Sequence, residues 1–168
     1  MSEVVLDAGP VIHLSQLKLF RLLALFPSLH TPLEVRKEIT RFDLPGKREF
    51  ERSEGIHVHR VSGSERRAVE AELKAFRLQK PDISVLALCR KIQAGLLLTD
   101  DLELRRAAEV IGLESCGTLG ILLRTSKRGW LSLDETRQAL RDLFNLSSLY
   151  LSAKLLDQVL EALSRQDK

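Results

Sequence analysis

Two short apolar runs in this chain each end in acid. Val4-Val5-Leu6 runs into Asp7, and Leu96-Leu97-Leu98-Thr99 runs into Asp100-Asp101. Neither run alternates polar with apolar residues. The first is followed by Gly9-Pro10 and the second preceded by Gly95. Such runs suit strands buried on both faces, which is the condition of a parallel sheet covered by helices. Active sites in these sheets form at the carboxyl ends of the strands, where both runs place their carboxylates.

The intervening sequence supplies the helices. Further strands are expected near Ser28–Thr31, over Ile56–Val61 and around Leu113–Ser115. Helical spacing covers Val11 to Leu17 and continues through Phe20 and Phe26. It recurs over Leu33–Arg41, over Lys47–Glu54, through Val69, Leu73 and Phe76, from Pro81 past Ile92, over Leu102–Val110 and from Gly117 through Leu123. Ser132 followed by Glu135 is a capping-box pair opening a helix, and a last helix starts at Ser152. Strand and helix alternate to about residue 130, so the expected fold is α/β: residues 1–130 a parallel-stranded sheet sandwiched by helices, residues 131–168 an α-hairpin extending the same domain.

Composition removes other classes. In 168 residues, 44% are hydrophobic and 29% charged, which excludes a disordered chain. The net charge, 26 − 23 = +3, permits an anionic partner without indicating one. Cys89 and Cys116 show no zinc-ligand spacing, and two isolated thiols fit a reduced, cytoplasmic setting. No leader pattern opens the chain and no apolar stretch approaches the ~20 residues of a membrane span.

Asp82 follows Pro81 at the start of the helix that leads into the second acid-ended strand, so it belongs on the same rim as Asp7, Asp100 and Asp101. Glu38 lies on the Pro32 helix, with no facing fixed by the sequence. Acids gathered there must take up protons or share a hard divalent cation, and Mg²⁺ suits oxygen ligands. That chemistry points to phosphodiester hydrolysis. Each acid also has an ordinary role: turn residue for Asp7, first-turn acid for Asp82, N-cap and first-turn acid for Asp100 and Asp101, solvated helix residue for Glu38.

The segments Val-Val-Leu-Asp7-Ala-Gly-Pro-Val-Ile, Pro32-Leu-Glu-Val-Arg-Lys-Glu38-Ile and Leu-Leu-Leu-Thr99-Asp100-Asp101-Leu-Glu103-Leu resemble the PIN domain. With Gly117-Thr-Leu-Gly-Ile-Leu-Leu-Arg124 and Lys127-Arg-Gly129, the resemblance is to a prokaryotic, VapC-like branch and runs from residue 3 to about residue 165. It implies a ribonuclease of the toxin type acting on single-stranded RNA, with Mg²⁺ or Mn²⁺ as cofactor and an antitoxin protein as partner. It makes Asp7, Glu38, Asp82 and Asp101 the catalytic acids, with Asp7, Asp82 and Asp101 holding metal. Thr99, Asp100 and Glu103 become outer groups. Two positions depart from the branch: Pro81-Asp82 stands where Gly-Glu is common, and Ala8-Gly9 where a hydroxyl often follows the first Asp.

Arg105, Arg124, Lys127 and Arg128, the last three near Trp130, are candidate RNA contacts. Against this stands an ordinary reading as helix-end cations or surface ion-pair partners. His57 and His59 share one strand face with no acidic or third His partner at ligand spacing, which fits a solvated strand. The C-terminal helices are left three roles: packing on the sheet, a homodimer seam, or a seat for an antitoxin peptide.

The main alternative keeps the fold as a catalytically weak or inactive binding or regulatory module. A haloacid-dehalogenase phosphatase needs an acid two positions after Asp7, where Gly9 stands, and no G-x-G-x-x-G follows the first strand for a Rossmann nucleotide site.

Overall fold

Val4–Leu6 (β1) and Leu96–Leu98 (β4) are buried throughout and lie side by side in a computed structural model that describes residues 2–166. Three more strands complete the sheet: Leu29–Pro32 (β2), Ile56–His59 (β3) and Glu114–Cys116 (β5). All pairings are parallel and the order is β3-β2-β1-β4-β5. The chain steps from β1 towards β3 on one side and returns past β1 to β4 and β5 on the other. The crevice of such a sheet opens where the order reverses, between the carboxyl ends of β1 and β4.

The helices are Ala8–Gln16 (α1), Leu33–Arg41 (α2), Lys47–Arg52 (α3), Gly63–Glu72 (α4), Lys80–Lys91 (α5), Leu102–Val110 (α6), Thr118–Lys127 (α7), Leu133–Leu146 (α8) and Ala153–Gln166 (α9). α5 packs on β1, β2, α2 and α4, and its residues Ile83 to Cys89 are all buried. α7 packs on α1 and on α8, which in turn meets α9. Leu131, Ala139, Leu140, Leu143, Leu156 and Leu163 join the same apolar core as the strands. No helix of the described residues is long and apolar enough to cross a membrane.

The α/β sandwich matches the sequence expectation, and local signals set many boundaries. Ser132 and Glu135 make both bonds of the capping box, 2.7 Å to the Ser132 N–H and 3.1 Å from the Glu135 N–H. Two local expectations are corrected. The apolar stretch from Val11 to Phe26 is not one helix: Lys18 adopts φ 59°, and Phe20–Leu25 restarts as a 3-10 turn. The helix through Val69 and Leu73 begins at the Ser62 capping box and stops at Glu72, so Phe76 lies beyond it.

His57 and His59 do gain partners, supplied by neighbouring strands rather than by local spacing. His30 Nδ1 lies 2.8 Å from His59 Nε2, and the Glu3 carboxylate lies 2.5 Å from His30 Nε2. His57 stacks obliquely on His30, with ring centroids 5.3 Å apart.

Gly46 joins the loop after α2 to α3 at φ 90°. A Cβ there would stand 2.5 Å from Ser15 Oγ and 2.9 Å from the Val11 carbonyl oxygen, both on α1. Gly46→Ala is therefore expected to cost at least ~1–2 kcal/mol. A thermal melt should fall by roughly 2–8 °C; an unchanged melting temperature would contradict this packing.

Candidate active site

Asp7 is the first residue past β1, and its backbone N–H donates to the Leu98 carbonyl at 3.0 Å. With Leu6 opposite Leu98, the next residue on β4's side is Thr99. The buried Thr99 hydroxyl donates to Asp7 Oδ2 at 2.7 Å. The same hydroxyl oxygen accepts from the Asp101 N–H at 3.2 Å. One side chain thus ties the two strand ends together.

Asp100 and Asp101 divide their work. Asp100 Oδ1 accepts from the Thr118 N–H and Oδ2 from the Thr118 hydroxyl, each at 2.6 Å, and Oδ2 also meets His13 Nδ1 at 2.6 Å. Only a residue without a side chain fits at Gly117, where a Cβ would lie 2.7 Å from Asp100 Oδ1. Asp100 is thus a buried clamp joining α1, β4 and α7. Asp101 is exposed and caps α6, with Oδ1 accepting from the Leu104 N–H at 2.8 Å. Its other oxygen makes no hydrogen bond among the described residues.

Asp82 repeats this arrangement. Its Oδ2 accepts from the Gln79 N–H at 2.8 Å at the start of α5, which leaves Oδ1 for the cleft. Asp7, Glu38, Asp82, Asp100 and Asp101 all line one cleft of about 860 Å³. Burial raises the Asp7 carboxyl to about 6, opposed by its bonds to Thr99 and the Ala8 N–H and assisted by the charges of Asp82 and Glu38. Glu38 is raised by burial and then by Asp82. Asp82 is raised by burial, against the Gln79 bond and with Asp101 adding. The acids feel one another across the cleft.

An all-carboxylate donor set with a buried, charge-resisting member fits a hard divalent cation. Asp7, Asp82 and Asp101 are the cleft carboxylates that could supply oxygens to one. Among the described residues no three His, Cys, Asp or Glu side chains are grouped so as to hold a metal ion by themselves.

Some sequence candidates lie elsewhere. Glu103 accepts from the Arg77 N–H at 3.3 Å and pairs with Arg106 outside the cleft lining. Arg124 pairs with Glu114 at 2.8 Å, and Arg105 reaches Ser115 on a separate shallow surface. Lys127 and Arg128 do not line the cleft either. Sequence reasoning passed over Glu34, Lys37 and Arg41, which line it with Glu38. These four stand at i, i+3, i+4 and i+7 on α2, a single helix stripe visible in the sequence. His13 had no such signal.

A family model described as a PIN domain matches residues 3–165. The chain belongs to the PIN domain family. Among solved structures, this PIN domain protein is similar to VapC20 of Mycobacterium tuberculosis, a toxin that cleaves the sarcin-ricin loop. The two share 16% identity at a TM-score of 0.51, over 62% of this chain and 95% of VapC20. That likeness concerns the fold. No curated protein matches the chain.

Because the folded Asp7 carboxyl titrates near 6 and its unfolded value is 3.8, the folded state holds the extra proton between these values. Stability without divalent ions should fall as pH rises from about 4 to 6 and stay lower above that. Asp7→Asn should remove the Asp7 share of this dependence, leaving that of Glu38 and Asp82, and stabilise the protein at pH 7 by up to about 3 kcal/mol. Urea unfolding at pH 4.5 and pH 7 checks this, and a variant less stable than the parent at pH 7 would refute it.

Proposed function

We propose that this protein is a divalent-ion-dependent endoribonuclease of the VapC toxin type, hydrolysing phosphodiester bonds of single-stranded RNA. The observation that carries the reading is the electrostatic meeting of Asp7, Glu38, Asp82 and Asp101 in one cleft at the reversal point of the sheet. The family supports nuclease chemistry, and the fold shared with a toxin supports the toxin-type assignment, with an antitoxin as partner. Both cysteines are free and buried, consistent with work in a reducing cytoplasm.

Asp7, Asp82 and Asp101 would hold Mg²⁺ or Mn²⁺. Bound there, the ion supplies Lewis acidity toward water and toward a phosphoryl oxygen. Thr99 fixes the Asp7 carboxylate through its hydroxyl, and the caps of α5 and α6 fix Asp82 and Asp101. Half-buried Glu38, with its raised proton affinity, is suited to orient the attacking water and take its proton on a carboxylate oxygen. Lys37 and Lys80 on the cleft wall oppose the phosphate's negative charge. The shorter Asp82, where the VapC-like branch often has Glu, keeps one oxygen free because the helix cap takes only the other.

Purified protein should cleave an unstructured RNA in Mg²⁺ or Mn²⁺ and lose that activity in EDTA. Asp82→Asn and Asp101→Asn should each lower cleavage by more than ~100-fold, beyond the loss usual for outer groups, while remaining folded by circular dichroism. Unchanged cleavage in both variants would reject the assignment. Failure of the parent to bind Mn²⁺ by calorimetry would favour the inactive binding module instead.

A further inference from the structure

Phe42 and Tyr150 are the two most exposed aromatic rings among the described residues, at 64% and 91%. Both line the acidic cleft, although Phe42 follows α2 and Tyr150 lies between α8 and α9. Neither belongs to the apolar core. Every other aromatic side chain is at least half withdrawn from solvent or stands away from the cleft.

The cations of the cleft are also uncommitted. Lys37, Arg41, Arg77 and Lys80 line it, and none of the four makes an ion pair among the described residues. The Arg41 guanidinium lies 5.5 Å from the centre of the Phe42 ring, which pre-orders that ring beside a charge. Some cations outside the cleft lining are paired with carboxylates, as Arg66 is with Glu34 and Arg124 with Glu114. Cleft acids, cations and two exposed rings together match an unpaired polynucleotide: cations for phosphates, rings for bases, acids beneath the scissile bond. Bases inside a duplex are already stacked on one another and offer no such faces.

We propose that Phe42 and Tyr150 are the base-stacking residues of the substrate cleft, gripping nucleotides that flank the scissile phosphate of unpaired RNA. This assignment rests on the nuclease reading. It adds the pair of rings that selects single strands over duplexes.

The test uses a short unstructured RNA and the same oligomer with abasic nucleotides, bound to Asp101→Asn protein so that nothing is cleaved. Phe42→Ala and Tyr150→Ala should each weaken binding of the ordinary RNA by roughly 5- to 100-fold. Both should bind the abasic RNA as the parent does. Phe42→Leu and Tyr150→Leu, which keep apolar bulk without a ring, should show the same selective loss, and Tyr150→Phe should bind like the parent. In otherwise unaltered protein, the alanine changes should raise KM and leave kcat near its starting value. Equal weakening toward both RNAs, or indifference to both, overturns the proposal; indifference assigns the rings to a protein surface instead. Selective binding without cleavage by the unaltered protein would sink the nuclease reading alone. Cleavage with indifferent rings would sink the stacking assignment alone.

Discussion

The pairing of β1 with β4 is the contact on which the site depends. Its register sets Leu6 opposite Leu98, so the two chains leave the sheet together and place Asp7 against Thr99. Side chains on a strand alternate faces, so a slip of one residue would turn the Thr99 hydroxyl away from Asp7. Both strands are buried on both faces, with Val5, Leu6, Leu97 and Leu98 at 0% exposure, so such a slip is opposed by the lost fit of close-packed side chains. The hydrophobic core thereby determines the position of the charged cleft at its edge.

The acids at the rim are built to two different ends. Asp82 and Asp101 each hold a helix N-terminus with one oxygen and keep the other for the cleft. A capping bond and a favourable helix dipole offset part of the repulsion between them. Asp7 stands at the N-cap of α1 without a side-chain capping bond, and its bonds to Thr99 and the Ala8 N–H do not outweigh its burial. It is buried, faces Asp82 and Glu38, and holds its proton up to about 6. Keeping these like charges close costs stability in the absence of a cation. Asp100, adjacent in sequence, is not part of that tension, since its carboxylate is filled by His13 and Thr118.

Much of this was legible in the sequence because its signals are local. The apolar runs before Asp7 and Asp101 marked the central strands, and the bounds Leu33–Arg41 and Leu102–Val110 follow from helical spacing. What was missed needs the third dimension. The Asp100–His13 contact joins residues 87 positions apart, and no periodicity connects them. His30 finds His59 only because β2 and β3 pair in register. The break at Lys18 hides inside a helical spacing of apolar residues that continues past it, since a single positive φ leaves no trace in hydropathy. The α2 lining of the cleft is an intermediate case: Glu34, Lys37 and Arg41 share the stripe of Glu38, but a stripe of mixed charge reads as solvent-facing until the wall opposite it is known.

The most direct test of the shared-ion account is anomalous diffraction from crystals grown in Mn²⁺. A peak bonded to carboxylate oxygens of Asp7 and Asp101 at the cleft floor is the predicted result. Well-ordered acids with no peak between them, or a peak held only by the histidines of β2 and β3, would contradict it.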